Sequence, residues 1–441
     1  MINIEENNVS RTKIKTFLSS NSLFVKKLFK TMLVSIILGG FCGIVMVLFN
    51  YLLLIFKFSF SFLPYFLSPL IAGSLTSILV KLGKFDRVLG TGATEFVEEI
   101  HETRTKSKKI PNLIAKTFAT SWTYGSGIIC GVEGPGILIG ADIGQILSSK
   151  LGSDEKNNMF IGASACTGAI LKAPITGALF CAELPYLNHI KYESLIPSIL
   201  ASTVAYLIFC LFFGFKPLIE SNISFNPDLF FHITLLPLLF LFGIITGLII
   251  LIFMGILNVI KSKLKNTFQS KSLFWLLPLV GATLYAIYLL ILIPFTEEQY
   301  QVAFIGPDMS FLSYLINNFT KVSFLFLIVA PVLILIAIYF SIGTFNSAGI
   351  ILPLMLFGGL VGGLFGVIFY PNNPELFVIL GISAVLGSAT NNPIAAIAII
   401  IEMTWIPELF IPAGITTIIT YIFSGPNSII PGQRSVKFQL I

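Results

Sequence analysis

Glu133 has the setting that most invites chemistry. It stands between two glycines in Gly131-Val132-Glu133-Gly134-Pro135, just ahead of a long apolar run. Proline is tolerated in the first turn of a helix, so this segment reads as a loop-to-helix junction. A helix N-terminus presents unpaired N–H donors and a partial positive charge. That makes an anion site without a full cation. Two further junctions have the same character, Gly90-Thr91-Gly92-Ala93-Thr94 and Ala348-Gly349-Ile350-Ile351-Leu352-Pro353, and none of the three contains a basic residue. Amides and hydroxyls hold a small anion weakly enough for it to leave again, which conduction requires. A carboxylate placed there can occupy the anion site itself, as a tethered competitor that protonation releases. Glu133 is therefore read as a gate and proton carrier. The plainer reading is a first-turn carboxylate that favours the helix dipole.

Enzymatic chemistry finds little footing, and the chain is expected not to be an enzyme. His101, His189 and His232 are scattered, and there is no HExxH, P-loop or GxSxG segment. Cys42, Cys130, Cys166, Cys181 and Cys210 all lie in apolar stretches without metal-ligand spacing, so they read as small buried hydrophobes. The sequence calls for no catalytic residue, no metal and no cofactor.

The elements that would position Glu133 are set by composition. Of 441 residues, 55% are hydrophobic and 11% charged, and the mean hydropathy is +0.92. Soluble chains carry about 25% charged residues, so the solvent implied here is a lipid bilayer. A span needs about 20 apolar residues, and stretches 31–56, 196–213, 233–257, 273–293 and 322–340 qualify clearly. They lack the alternation of barrel strands, which leaves helices as the way to satisfy the backbone in lipid. The fold class expected is an all-α polytopic membrane protein.

The net charge of +6 does not point to nucleic acid, because the basic residues cluster between apolar segments. Arg11, Lys13, Lys15, Lys26, Lys27 and Lys30 precede the first span. Arg104, Lys106, Lys108 and Lys109 form a second cluster, and Lys261, Lys263, Lys265 and Lys271 a third. Such clusters mark the cytoplasmic side of a membrane. Arg434 and Lys437 place the C-terminus there as well, so both termini are expected in the cytoplasm of a multi-pass cell-membrane protein. Glu297 and Glu298 sit in a loop without basic residues, expected outside. Residues 1–30 are polar and basic, and the apolar run after them is too long for a cleaved signal.

The chain also repeats itself. Gly162-Ala-Ser-Ala-Cys-Thr-Gly168 matches Gly381-Ile-Ser-Ala-Val-Leu-Gly387. A proline follows at the same distance in each copy, Pro174 and Pro393, and a lone glutamate at the same distance again, Glu183 and Glu402. Upstream, Gly131 to Pro135 matches Gly349 to Pro353, followed by Gly140 and Gly144 in one copy and Gly358 and Gly362 in the other. Two halves with Gly/Pro-broken hydrophobic segments at matching positions point to a transporter-type fold with its site where the broken helices meet. The paired later glycines are expected to pack helices, as small-xxx-small spacing does in membranes.

Together these motifs resemble the CLC family of chloride channels and chloride–proton antiporters. The family's G-[K/R]-E-G-P appears as Gly131–Pro135, its G-S-G-I-P as Gly90–Thr94, and its G-x-F-x-P as Gly349–Pro353. Ile139-Gly140-Ala141-Asp142-Ile143-Gly144, Ala173-Pro174 with Phe180 and Glu183, Glu402-Met403-Thr404, and Ser428-Ile429-Ile430-Pro431-Gly432-Gln433 also fit. The resemblance runs from about residue 31 to residue 433. It implies two inverted repeats of broken, tilted helices, about 31–215 and 229–433. A cytoplasmic segment 1–30 and a short tail 434–441 flank this 31–433 domain, and the cytoplasmic CBS domains of many relatives are expected to be absent. It implies a homodimer with one pore per subunit. It further implies a central chloride site built from the amides of Ile350 and Ile351 and two side-chain hydroxyls.

The departures from the family pattern bear on function. Thr91 keeps one hydroxyl, but Ile430 stands where relatives carry a tyrosine and cannot donate. Thr94 replaces the motif proline, and Val132 the usual Arg or Lys before the gating glutamate. Leu184 stands where proton-coupled relatives often carry a second, internal glutamate, and Glu183 beside it is expected to be structural. The residues expected along the anion path are thus Thr91, Gly92, Val132, Gly134, Ile350, Ile351 and Ile430, with Glu133 as the gate. The expected function is transport of chloride or a similar small anion, channel-like or weakly proton-coupled, with protons as the second ion if coupled. A chloride–proton or fluoride–proton antiporter is the alternative. A membrane assembly protein that kept the fold and lost conduction is the reading from another class.

Overall fold

A computed structural model describes residues 2–85, 87–102, 109–221, 235–270, 272–306 and 309–435, with the backbone alone at 2–25, 27, 109, 270 and 320. Outside the described residues lie Arg104, Lys106, Lys108, Lys271, His232, Lys437, most of the 434–441 tail and the expected start of the second repeat at 229–234.

Helices account for most of the described residues. The first half carries α1 (Ile2–Ser61), α2 (Leu67–Gly83), α3 (Ala93–Ile100), α4 (Lys109–Gly125), α5 (Glu133–Leu151), α6 (Glu155–Ile170), α7 (Pro174–Glu183) and α8 (Tyr192–Phe213). The second carries α9 (Leu235–Ser270), α10 (Leu277–Leu292), α11 (Glu298–Gln301), α12 (Met309–Asn317), α13 (Phe324–Ser341), α14 (Ile351–Phe369), α15 (Pro374–Thr390), α16 (Pro393–Thr404) and α17 (Phe410–Ser424). A two-residue parallel pairing joins β1 (Tyr186–Leu187) to β2 (Arg434–Ser435). The polar stretch ahead of the first span and the span itself form one continuous helix, α1.

Seven helices are long and apolar enough to cross a membrane among the described residues. Five coincide with the stretches read from hydropathy. The other two are Ile351–Phe369 and Pro407–Ser424. The short helices matter as much. At about 1.5 Å per residue, α3 and α7 are roughly 12–15 Å long, less than half the ~30 Å hydrocarbon thickness. A helix this short placed within the bilayer ends at membrane depth, where non-helical backbone is tolerated only inside protein or along a water-filled path.

Packing repeats in the same order in the two halves. In the first, α5 lies on α6, α6 on α7 and α8, and α8 on α1. In the second, α14 lies on α15, α15 on α16 and α17, and α17 on α9. The paired glycines explain the closeness of the matching layers. A Cβ at Gly140 would stand 2.6 Å from the Gly162 carbonyl carbon, and one at Gly358 would stand 2.8 Å from that of Gly381. Gly144 and Gly362 are equally tight, each 2.6 Å from a backbone carbon, Asn158 and Phe377 respectively. Without hydrophobic driving force between helices in lipid, such backbone-to-backbone packing is what holds them. The glycines expected to pack helices do so.

Candidate anion site at three helix N-termini

The site is assembled from three segments that begin helices. Gly92 caps α3, Val132 caps α5 and Ile350 caps α14. Pro135 and Pro353 fall in the first turns of their helices, as the spacing predicts. The α5 and α14 junctions are tied by a reciprocal antiparallel pair. Gly131 N donates to Gly349 O at 2.7 Å, and Gly349 N donates to Gly131 O at 2.8 Å. The α3 junction joins them through Ala348 N to Gly90 O at 3.4 Å and Gly90 N to Phe345 O at 3.2 Å.

Gly92 is at φ +83°, left-handed backbone that favours glycine. A side chain there would also press on Gly134, its Cβ 2.8 Å from the Gly134 carbonyl carbon and 2.9 Å from Pro135 Cα. Gly349 is as close on the other side, with a Cβ position 3.2 Å from Gly134 N. Three N-termini from distant parts of the chain thus meet at Gly92, Gly134 and Gly349, and their dipoles sum at one place.

Glu133 is 3% exposed and stands among these ends. The backbone N–H groups of Val132, Glu133 itself and Leu352 face its carboxylate. A Cβ on Gly131 would collide with Glu133 Oε2 and stand 3.1 Å from Leu352 N. One carboxylate oxygen, Oε2, makes no hydrogen bond. The side chain is therefore folded back onto the amides of both α5 and α14.

Thr91 is buried at the α3 end. Its Oγ1 lies 3.2 Å from Thr94 Oγ1 and accepts Thr94 N–H at 3.4 Å. The residue in place of the motif proline thus keeps a second hydroxyl beside the first. Ile350 and Ile351 are buried at the start of α14, while Val132 is only partly buried. Ile430 is buried in a further segment. Its N–H donates to Ser428 Oγ at 3.1 Å, Ile429 N donates to Ala389 O at 2.9 Å, and a Cβ on Gly432 would touch Val97 of α3 at 3.5 Å. The 428–433 segment therefore packs on α3 and the end of α15. Backbone hydrogen bonds link the other three segments, whereas this one contacts Val97 and Ala389.

Several residues around the site escaped the sequence reading. Glu95, one turn into α3, accepts Gly92 N–H on Oε2 at 2.7 Å and so caps the helix. Lys116 of α4 is 1% exposed, and its ammonium donates to Val88 O at 2.9 Å and Gly90 O at 2.7 Å. It holds the α3 loop from behind and sets a positive charge next to Thr91. Thr120 Oγ1 and Ser347 Oγ, 3.1 Å apart, join the same helix to the α14 junction. An ionisable residue inside an apolar helix is a functional candidate by default, and that rule would have singled out Lys116.

Glu183 and Glu402 form a reciprocal pair. Glu183 Oε2 accepts Ala395 N–H at 3.1 Å in the first turn of α16. Glu402 accepts Ile175 N–H at 3.0 Å and Thr176 N–H at 2.7 Å in the first turn of α7. Each carboxylate caps the helix of the other half, as their equivalence in the repeat suggests. Leu184 is buried, and its carbonyl accepts Gln433 Nε2 at 2.8 Å.

Comparison with known proteins gives a consistent result. The family described as "Voltage gated chloride channel" matches residues 78–425. The H+/Cl− exchange transporter ClcA of Cronobacter sakazakii is 26% identical over 319 residues, covering 69% of this chain and 64% of the relative. An uncharacterized protein of Methanocaldococcus jannaschii is 23% identical over 296 residues, covering 66% of this chain and 69% of the relative. Among solved structures, a CLC-type fluoride/proton antiporter superposes with a TM-score of 0.76 at 22% identity, over 93% of this chain and 98% of that one. A slow cyanobacterial Cl−/H+ antiporter superposes with a TM-score of 0.74 at 18% identity, over 91% and 96%. At these identities the structural likeness speaks for the fold: two inverted repeats of broken, tilted helices.

Proposed function

The chain belongs to the voltage-gated chloride channel (CLC) family, and from that premise we propose that it carries chloride or a similar small anion across a membrane, with Glu133 as the gate. The observation that carries this reading is the meeting of the α3, α5 and α14 N-termini beside Glu133, whose carboxylate faces amides of α5 and α14. Backbone amides facing a carboxylate can face an inorganic anion in its place. In this reading Thr91, Gly92, Val132, Gly134, Ile350 and Ile351 hold the anion once Glu133 is protonated and swings aside. Ile430 lines the path without donating to it.

The transport is channel-like or weakly coupled to protons. Leu184 supports this, because it cannot titrate where proton-coupled members often place a glutamate. Proton-coupled exchange is the second reading, favoured by the retention of Glu133 and by the H+/Cl− exchange for which the ClcA relative is named. The working unit is a homodimer with both termini in the cytoplasm, a multi-pass protein built from repeats at about 31–215 and 229–433. Basic residues Lys26 and Lys30 of α1, ahead of its apolar stretch, and Lys261, Lys263 and Lys265 of α9, past its apolar stretch, support that orientation.

The test is anion efflux from liposomes that contain the purified protein, with chloride and then fluoride as the only permeant anion. Ion-selective electrodes read the flux. Electrogenic chloride efflux supports the proposal. Silence with both anions would favour a non-conducting assembly protein instead.

A further inference from the structure

We propose that Arg87 is a positioning residue of the anion site, setting the angle between α3 and α5 so that both helix N-termini aim at one ion. This rests on the anion reading above and extends it to a residue that no junction motif contains.

Arg87 lies in the loop that leads into α3, three residues before Gly90, and is 1% exposed. Its Nη2 meets Glu99 Oε1 at 2.7 Å, in the last turn of α3. Its Nη1 meets Asp142 Oδ1 at 2.8 Å, midway along α5. One guanidinium thus ties the entry loop of α3, the far end of α3 and the body of α5. A planar fork can hold two carboxylates in fixed directions, which an ammonium cannot.

The geometry makes this a second anchor. The Gly92–Gly134 approach fixes α3 against α5 at the anion end. A single contact of that kind would leave a pivot. Arg87 supplies a contact further along, and two separated contacts fix a crossing angle. Asp142 is nine residues beyond Glu133, about two and a half turns at 3.6 residues per turn. It therefore leaves α5 on the face opposite the gate. The two carboxylates outweigh the guanidinium, so the triad is net negative. The triad cannot work by attracting the anion with its charge, so its influence must pass through the placement of the helices.

Burying such a triad gains little stability over an apolar replacement of similar volume, whereas breaking it by removing one partner is costly. That contrast supplies the experiment. In the variant Arg87→Met with Asp142→Leu and Glu99→Gln, the charges disappear together. Arg87→Lys keeps a buried cation that cannot bridge both carboxylates in the same way. Chloride efflux from proteoliposomes is measured against chloride concentration, and the chloride-to-fluoride and chloride-to-bromide rate ratios are taken from the same preparations. The full chain is used, with size-exclusion profile and melting temperature as the folding control.

The expected result is a folded, wild-type-like melting profile for the triple variant. Its half-saturating chloride should rise about tenfold and both selectivity ratios fall toward one, with Arg87→Lys intermediate. Wild-type half-saturation and selectivity in either folded variant would overturn the proposal, whatever the melting temperature does. Failure of both variants to fold would make the triad a folding requirement and overturn it too. Absence of flux from the wild-type liposomes would overturn the anion reading itself, and the positioning role with it.

Discussion

The carboxylate of Glu133 and the hydroxyl of Thr91 answer different questions about the same site. Glu133 faces the amides of Val132 and Leu352 with one oxygen left unpartnered. A neutral amide in its place mimics the protonated form, which has lost the charge that those N–H groups attract. Glu133→Gln should therefore keep anion flux at or above the wild-type rate and abolish its dependence on pH. Efflux from liposomes at pH 4.5, 6 and 7.5 reads this directly, and an unchanged pH profile would remove Glu133 from the gating role. Thr91 offers the hydroxyl that the loss of a tyrosine at Ile430 makes more important. A hydrogen bond to a charged group contributes roughly 1.5–3 kcal/mol, about tenfold or more in affinity. Thr91→Val, close to it in shape, should weaken chloride binding by about that factor in isothermal titration. Thr94 Oγ1 lies 3.2 Å away. If it can replace the lost donor, the affinity will not change, and the hydroxyl at the site belongs to Thr94 rather than Thr91.

At the level of elements, the short helices α7 and α16 depend on each other's carboxylates. The first N–H groups of a helix have no partner within it, and in a membrane no water is at hand to serve them. Glu183 and Glu402 fill that need across the two halves. This gives Glu183 a capping role and turns its carboxylate toward the start of α16. Glu183→Ala should lower stability by about 1.5–3 kcal/mol, since it leaves the buried Ala395 N–H without its charged acceptor. Glu402→Ala should cost less, because Glu402 is partly exposed. Glu183→Gln keeps an acceptor and should transport like the wild type. Thermal unfolding in detergent gives the order of the first two. A Glu183→Ala protein as stable as wild type would show that the cap is dispensable.

For the whole molecule the question is whether protons move with the anion. Charge at the centre of a bilayer costs several kcal/mol when unpaired, so a proton needs a titratable relay inside. In the proposed reading Glu133 serves one end. Toward the other end Leu184 offers only an apolar side chain, and the carboxylate of Glu183 is turned to Ala395. Chloride flux should therefore run without stoichiometric proton counterflow. Simultaneous recording of chloride efflux and external pH from proteoliposomes decides it. Uphill proton movement driven by a chloride gradient would restore the exchanger, and a relay through other residues would then have to be found.

Local features of the sequence determined much of this protein. A charged fraction of 11% specifies lipid as solvent, and five apolar stretches specify five spans, because hydropathy is a property of consecutive residues. Two spans were less plain. Ile351–Phe369 carries five glycines, and Pro407–Ser424 dilutes its apolar residues with threonines to a mean hydropathy of 1.2. The loop-to-helix junctions at Gly90, Gly131 and Gly349 were legible because glycine and proline constrain the backbone where they stand. Their meeting was not. The pair Gly131–Gly349 is made by backbone atoms of residues more than two hundred positions apart, and a backbone amide carries no mark of its distant partner. The same holds for side chains. Arg87 and Lys116 read alone as basic residues near apolar segments. Only the packing of α3 against α5, and of α4 behind the α3 loop, buries them, setting Arg87 against two carboxylates and Lys116 against two carbonyls. The tertiary structure decided which helix ends meet because close approach depends on glycines in two helices at once, and a one-dimensional pattern records each helix separately.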